Sequence, residues 1–509
     1  MNETASKAKM KAGYSPELWN ADLAPVAQEE RTWGWQNISS LWVSMVVCVP
    51  AYMLAASLIP EGMAWWQAVL TVFLANTIIL VPMLILGHAG AKHGIPFPVL
   101  LRASFGTSGA KLAAMMRGIV GCGWFGIQTW IGGSAMYAIL NIMTGRALVG
   151  DPIPLLGIDL AQLLCFLVVW AMHVYFIARG TESIRFLETY AAPFLIAMCF
   201  GLLIWAVTRA GGFGPMLATP SEFVEGGARE GQFWQVFWPG LTAMVGFWAT
   251  LALNIPDFTR FAKSQRHQLV GQALGLPIPM AILAFIAVAV ASATIVIYGE
   301  ALWDPVAITE RMGGFAVVIA LLALILATVT TNLAANVVAP ANGFANLMPG
   351  KISFRMGGYI TAGLGIAIMP WKLLETTGAY IFTWLIGYSA LLGPLAGIML
   401  ADYLLLRRTE LAHDDLFKSN GRYSYGNGWN PIAWIAFVIA VLPNLPGFLA
   451  AAGLLDSVPA FFSAIYNYAW FVGVAIGAAV YLTLMYMNRP ELAGMPQELQ
   501  PQSSNPQER

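Results

Sequence analysis

Apolar residues run along the chain in blocks of about 20, the length that crosses a hydrocarbon core, and each block is closed by polar residues or by glycine and proline. This pattern predicts twelve spans: 38–58, 63–87, 111–142, 158–178, 186–208, 233–256, 274–299, 314–340, 357–371, 378–404, 431–452 and 459–487. In lipid every backbone polar group must find a partner within the chain, so these spans are expected to be helices. The third is over-long and should tilt; the ninth is short.

Positive charge tests the layout independently. With the amino terminus inside, 20 of the 26 Lys and Arg fall in cytoplasmic segments, five in outer segments, and Arg117 lies within the third span. That bias is what the positive-inside rule predicts for a multi-pass protein of the cell membrane with both termini cytoplasmic. The chain divides into a cytoplasmic segment 1–37, a transporter domain 38–487 and a cytoplasmic tail 488–509, NRPELAGMPQELQPQSSNPQER, low in apolar content and expected to be disordered. Residues 1–37 hold no apolar core of the kind that marks a cleavable signal peptide.

Composition narrows the function. The 509 residues are 58% hydrophobic and 10% charged, against about 25% charged in a soluble domain. Net charge is zero, so nothing recommends nucleic acid as a partner, and no obligate protein partner is evident. Cys48, Cys122, Cys165 and Cys199 lie in different apolar blocks without CxxC spacing and read as small buried hydrophobes. The five histidines form no i,i+4 pair, so neither a metal hydrolase nor another membrane enzyme is expected. Ionisable groups are sparse near the expected midplane. Arg117 could snorkel to a face, and Glu188, Asp257 and Asp402 sit at span ends, where solvation or capping is expected. A neutral cargo fits such a core better than a charged one.

Amides, hydroxyls and indoles remain. Trp124 and Gln128 lie four apart on one helical face, where a flat ring could lie on the indole while the amide meets its edge; packing between helices is the alternative. In MVGFWATLALNIPDFTRF, Gly246 and Pro256 weaken the helix beside Trp248, either to line a cavity or to admit a close crossing and end the span. In ATVTTNLAANVVAP the spacing of Ala327, Thr330 and Thr331 can converge one carbonyl and two hydroxyls on a hard cation, unless the hydroxyls bond back to their own helix. Asn336 offers a second amide. Pro50 frees a carbonyl one turn earlier, near Ser44 and Val47, that could join a cation shell.

Taken in order, RTWGWQNISSLW from Arg31, PFPVLLRASFG from Pro96, GWFGIQTWIGG from Gly123, NIPDFTRFAK from Asn254, TTNLAANVVAPANGF from Thr330 and LGPLAGIMLADYLLLRR from Leu392 resemble the nucleobase:cation symporter-1 family. These are carriers of nucleobases, hydantoins, allantoin and related compounds. The resemblance implies an all-α integral membrane protein with a LeuT-like 5+5 inverted repeat, here 38–208 and 233–404, helices 1 and 6 discontinuous, and two extra helices in 431–487. It implies that Trp124 and Trp248 sandwich the substrate, that Gln128 and Asn336 read its edge, and that Leu385 occludes the site. The carbonyls of Ser44, Val47 and Ala327 and the hydroxyls of Thr330 and Thr331 would hold a sodium ion; no other cofactor is expected. Phe247 departs from the small glycine that hydantoin carriers place before the helix-6 tryptophan, which points toward allantoin or uracil. The expected function is cation-coupled symport of a neutral planar heterocycle, sodium favoured, with proton coupling as the alternative and a passive channel less favoured.

Overall fold

The computed structural model describes residues 10–488 apart from 146, 180, 313–315 and 377–378, with the backbone alone given for 181–192 and 316. Most of the tail expected to be disordered, and the side chain of Glu188, lie outside the described residues. Within them the chain is helical at each of the apolar blocks: α1 Trp35–Val46, α2 Val49–Ala56, α3 Trp65–His93, α4 Phe97–Phe105, α5 Gly109–Thr144, α6 Leu160–Arg179, α7 Thr181–Arg209, α8 Phe233–Asn254, α9 Gln265–Gly275, α10 Pro277–Tyr298, α11 Ala316–Asn336, α12 Val338–Leu347, α13 Phe354–Ala367, α14 Ala379–Leu385, α15 Ile386–Leu400, α16 Pro431–Val441, α17 Leu445–Ala451 and α18 Ala469–Asn488. Among the described residues, eight helical stretches are long and apolar enough to cross a membrane, or nine if α1 and α2 are one bent span.

α3 packs against α8 and α10, and α1 against α9; α5 packs against α6, α11, α12 and α13, with α15 lying between α8 and α18. The richest apolar window of α8 is 83% buried and those of α6 and α18 only 28%, so α8 is central while the other two turn Leu164, Val168 and Met487 outward, as lipid contact allows.

Several helices are interrupted where the site forms. Between α1 and α2 the axis bends by 61°, because Val47 leaves helical geometry and the Cys48 N–H turns to the carbonyl of Val46 at 2.7 Å. The carbonyl of Ser44 thereby loses its i+4 donor. α11 stops at Asn336, with Val337 between it and α12 and Pro340 inside the next turn. α14 is π-helical, a winding found mostly at functional sites.

Three polar expectations change. Arg117 does not snorkel: it is 1% exposed, and its Nε donates to the Thr250 carbonyl at 2.8 Å and to Asn254 Oδ1 at 3.1 Å. Asp257 does cap a helix, but a neighbour's, accepting the Phe97 N–H at the start of α4 at 2.9 Å, and it is buried rather than solvated. Asp402 is buried too, 2.7 Å from Arg407 Nε and 2.7 Å from the Tyr481 hydroxyl of α18 that donates to it. Charge inside a bundle is tolerated because each group is held by fixed partners. All four cysteines are free; Cys199 is half-buried and the others buried.

Candidate functional site

A slot of about 30 Å³ lies between α1, α5, α8 and α11, lined by Met45 and Cys48 at the α1–α2 break, Trp124 and Gln128 of α5, Phe247, Trp248, Thr250 and Leu251 of α8, and Thr331, Ala335 and Asn336 of α11. Six candidate site positions from the sequence therefore share one cavity: Trp124, Gln128, Phe247, Trp248, Thr331 and Asn336. Their convergence follows from helical spacing, since residues four apart on α5 present one face to α8 and α11.

The indoles are not face to face across open space. Phe247 stands between them, 5.1 Å from Trp124 at 81° and 4.9 Å from Trp248 at 88°, while Trp42 of α1 meets the far edge of Trp248 at 5.4 Å. A single water needs about 10–15 Å³ of such space, so the slot as it stands is closed around its own side chains. Gly246 sets this closure. A Cβ there would collide with Ser389 Oγ and lie 3.1 Å from the Leu385 carbonyl, and its carbonyl accepts the Tyr388 hydroxyl at 2.9 Å, so the missing side chain lets α15 approach α8.

The amides are tethered. Thr331 Oγ1 lies 2.8 Å from Gln128 Oε1 and 2.6 Å from the Ala327 carbonyl. One hydroxyl proton cannot serve two acceptors. With Nε2 of the amide turned to Thr331, the hydroxyl donates to Ala327 and accepts from Gln128, which leaves Oε1 facing the slot. Asn336 Nδ2 donates to Asn332 Oδ1 at 3.0 Å, and Asn332 in turn donates to the Phe125 carbonyl at 3.0 Å and lies 3.1 Å from His173 Nε2. Asn332 and His173, both fully buried, hold the Asn336 amide in place without lining the slot. The sequence signal for them was available: Asn332 and Asn336 are i,i+4 on α11, as Trp124 and Gln128 are on α5.

The expected cation ligands are divided. Val47 and Ala327 line a neighbouring apolar cavity of about 320 Å³. The Ser44 hydroxyl donates to the Leu41 carbonyl at 2.8 Å, and Thr330 donates to the carbonyls of Leu326 and Ala327 at 3.0 and 3.1 Å. Both threonines bond back to their own helix, while Thr331 also belongs to the slot. A hydroxyl that donates backward still presents lone pairs, and the Ser44 carbonyl is released by the break. Among the described residues no cluster of three His, Cys, Asp or Glu could hold a metal.

Leu385 is placed differently from the expectation. It is fully buried and does not line the slot; its carbonyl accepts from Ser389 Oγ at 2.6 Å. The residues of this helix that stand against Trp124 are Trp384 at 5.8 Å and Tyr380 and Tyr388 at 6.3 Å. The π-helical winding of α14 shifts which side chains face inward, and period-3.6 reasoning has no access to that shift.

The sequence model described as permease for cytosine/purines, uracil, thiamine, allantoin matches residues 25–473. A purine-uracil permease of Arabidopsis thaliana is 44% identical over 93% of this chain and 78% of its own length. The allantoin permease of Bacillus subtilis is 40% identical over 95% and 96%. Among solved structures, Mhp1, described as a nucleobase-cation-symport-1 family transporter in a closed conformation with bromovinylhydantoin bound, superposes with TM-score 0.74 at 26% identity, covering 92% of this chain and 96% of that one. A match spanning nearly the whole membrane domain places this multi-pass chain among transporters rather than enzymes: it belongs to the family of permeases for cytosine/purines, uracil, thiamine and allantoin.

Proposed function

We propose that this chain imports a neutral planar heterocycle, uracil, allantoin or a close relative, by cation-coupled symport with sodium as the favoured ion. The observation that carries the reading is the slot itself: two indoles and a phenyl ring around two tethered carboxamides, with no ionised side chain among the lining residues. Aromatic faces hold any flat ring, worth about 1–3 kcal/mol per base in nucleic-acid systems. Gln128 and Asn336 discriminate, because a buried donor or acceptor left unmatched costs about 1–3 kcal/mol. For a ring to enter, Phe247 swings away and the heterocycle takes its place, or the phenyl becomes one wall. The supporting frame is the LeuT-like one of twelve helices, two inverted five-helix repeats and two further helices, in the cell membrane with both termini cytoplasmic.

In this mechanism a cation among the carbonyls of Ser44, Val47 and Ala327 and the hydroxyls of Thr330 and Thr331 couples to the substrate through Thr331, which touches both Ala327 and Gln128. Binding of either ligand fixes Thr331 for the other, and such linkage is reciprocal. The test is uptake of labelled uracil and allantoin into proteoliposomes with a sodium gradient, a proton gradient, or neither. Sodium should stimulate uptake several-fold and Thr331→Ala should abolish the stimulation. The buried Asp257 beside the Arg117–Asn254 pair favours a second reading, coupling to protons; uptake that ignores sodium and collapses with a protonophore would replace the first reading by the second.

A further inference from the structure

Behind helix α14–α15, on the side away from the slot, lies a second cavity of about 370 Å³, more than ten times the slot and at the lower end of the range for small-molecule pockets. Its walls are mostly apolar, including Leu391, Val441, Leu445 and Phe448. Four polar side chains line it: the hydroxyls of Thr383 and Tyr388 donate to the carbonyls of Ala451 and Gly246, whereas Trp384 and Asn444 carry buried atoms without a hydrogen-bond partner. Asn444 is fully buried, and neither its Nδ2 nor its Oδ1 is paired; the Trp384 Nε1 is likewise unpaired. An amide with both ends orphaned in an apolar interior is among the least tolerable arrangements a bundle can hold without a ligand.

The backbone around it points the same way. The sequence VLPNLPG tightens the span 431–451 past its middle, with α16 ending at Val441, a single tight turn over Leu442–Asn444, and α17 beginning at Leu445. The helix runs on through this turn, but Pro443 and Pro446 remove two backbone donors at membrane depth, where freed carbonyls must find partners in neighbouring protein or a cavity. The facing wall is fixed rather than loose: the Thr383 hydroxyl donates to the Ala451 carbonyl at 2.9 Å, and that of Tyr466 to the Phe382 carbonyl at 2.6 Å. Trp384 connects the two cavities, since it lines this one and packs its ring edge-on against Trp124 of the slot.

We infer that this cavity is a second binding site, for a neutral molecule that joins an amide edge to an apolar body. A carboxamide offers one donor and one acceptor in a plane, and its complement is a lactam or imide edge with adjacent N–H and C=O. The indole N–H supplies a further donor for a second carbonyl, and the aliphatic and phenyl walls take an alkyl or aryl substituent. An occupant there bears on Trp384, and through it on Trp124, so the site is placed to sense or bias the closure of the slot.

The inference rests on the proposed function only for the choice of probe. Radiolabelled 5-benzylhydantoin, which has imide edges and an aryl arm, is measured by equilibrium dialysis against the purified full-length protein. Two equivalents per chain are expected for the wild type, one for Asn444→Leu and one for Gln128→Ala. If Asn444→Leu does not fold, Val441→Trp fills the cavity from the opposite wall and should also lose one equivalent. One equivalent or none in the wild type, or two retained in Asn444→Leu or in Val441→Trp, overturns the second site. A wild type with one equivalent that vanishes in Gln128→Ala overturns it while leaving the transport reading intact. Two equivalents in Gln128→Ala with one in Asn444→Leu would instead overturn the slot.

Discussion

Thr331 has one proton and two acceptors within 2.8 Å, and that arithmetic orients Gln128. If the amide oxygen faces the slot, Gln128→Ala removes an acceptor while Thr331 remains satisfied by Ala327, so the protein should stay folded and substrate should bind roughly 5- to 150-fold more weakly, the equivalent of about 1–3 kcal/mol. Binding measured in detergent decides this; unchanged affinity would exclude Gln128 from the site. Phe247 gives a different expectation. Removing the ring that stands between the indoles in Phe247→Ala should enlarge the slot and loosen its hold on a small ring, lowering affinity for uracil as read by competition with labelled uracil. The residue pattern showed these groups but not their order in space, because Trp124 and Trp248 are 124 positions apart in the chain and only packing puts Phe247 between them.

At the scale of the elements, the interruptions matter more than the regular helices. The α1–α2 break was legible from Pro50 and the end of α11 from Pro340, since proline removes a donor and disturbs the preceding turn. The π-helical α14 was not legible in the sequence, and Leu385, which the family resemblance put forward as occluding the site, does not line the slot, whereas Trp384 and Tyr388 stand against Trp124. Just past α15 the chain is tied down by Asp402, held by Arg407 and Tyr481, with Arg407 also donating to the Ala103 carbonyl at 2.8 Å. Asp402→Ala would leave that guanidinium buried without its counter-charge, which costs about 3–5 kcal/mol. The melting temperature in detergent should fall clearly, whereas substrate affinity of the folded fraction should change little.

At the scale of the whole molecule, the polar segment before α1 is part of the structure. Trp33 pairs with Phe261 and Lys263 through backbone hydrogen bonds of 2.9 Å, Val26 N–H donates to Gly94, Ser15 N–H to Phe417, and Asn20 Nδ2 to the Pro349 carbonyl. This strap ties together loops that are far apart in the chain, near Gly94, Phe261, Pro349 and Phe417. Near its start Lys11 and Tyr14 both donate to Asp414, and His413 Nε2 lies 3.1 Å from the His93 carbonyl. Burial pushes the His413 pKa below its usual 6.5, opposed by its bond to His93 and by Asp414. The neutral form is therefore the folded one: its contribution is complete above pH 6.5 and is lost as pH falls through the lowered value. Asp414, held down by Lys11 and Tyr14, keeps its charge until the pH falls below 3.8. Hydrogen exchange over residues 14–31, corrected for intrinsic rates, should accelerate between pH 7.5 and 5.5, and His413→Gln should remove that dependence.

The sequence by itself determined that this chain lives in lipid, where helices form along it, and that Trp124, Gln128, Trp248 and Asn336 were the polar and aromatic side chains to follow. Those properties are set by local composition, by helical period and by the cost of exposing backbone to hydrocarbon. Tertiary structure alone decided that Arg117, Asp257 and Asp402 are enclosed and paired, that Phe247 closes the slot, and that Asn444 faces a second cavity. Each of these depends on which distant helix a residue meets, and in a bundle whose exterior and interior are equally apolar, hydropathy carries no sign of that choice.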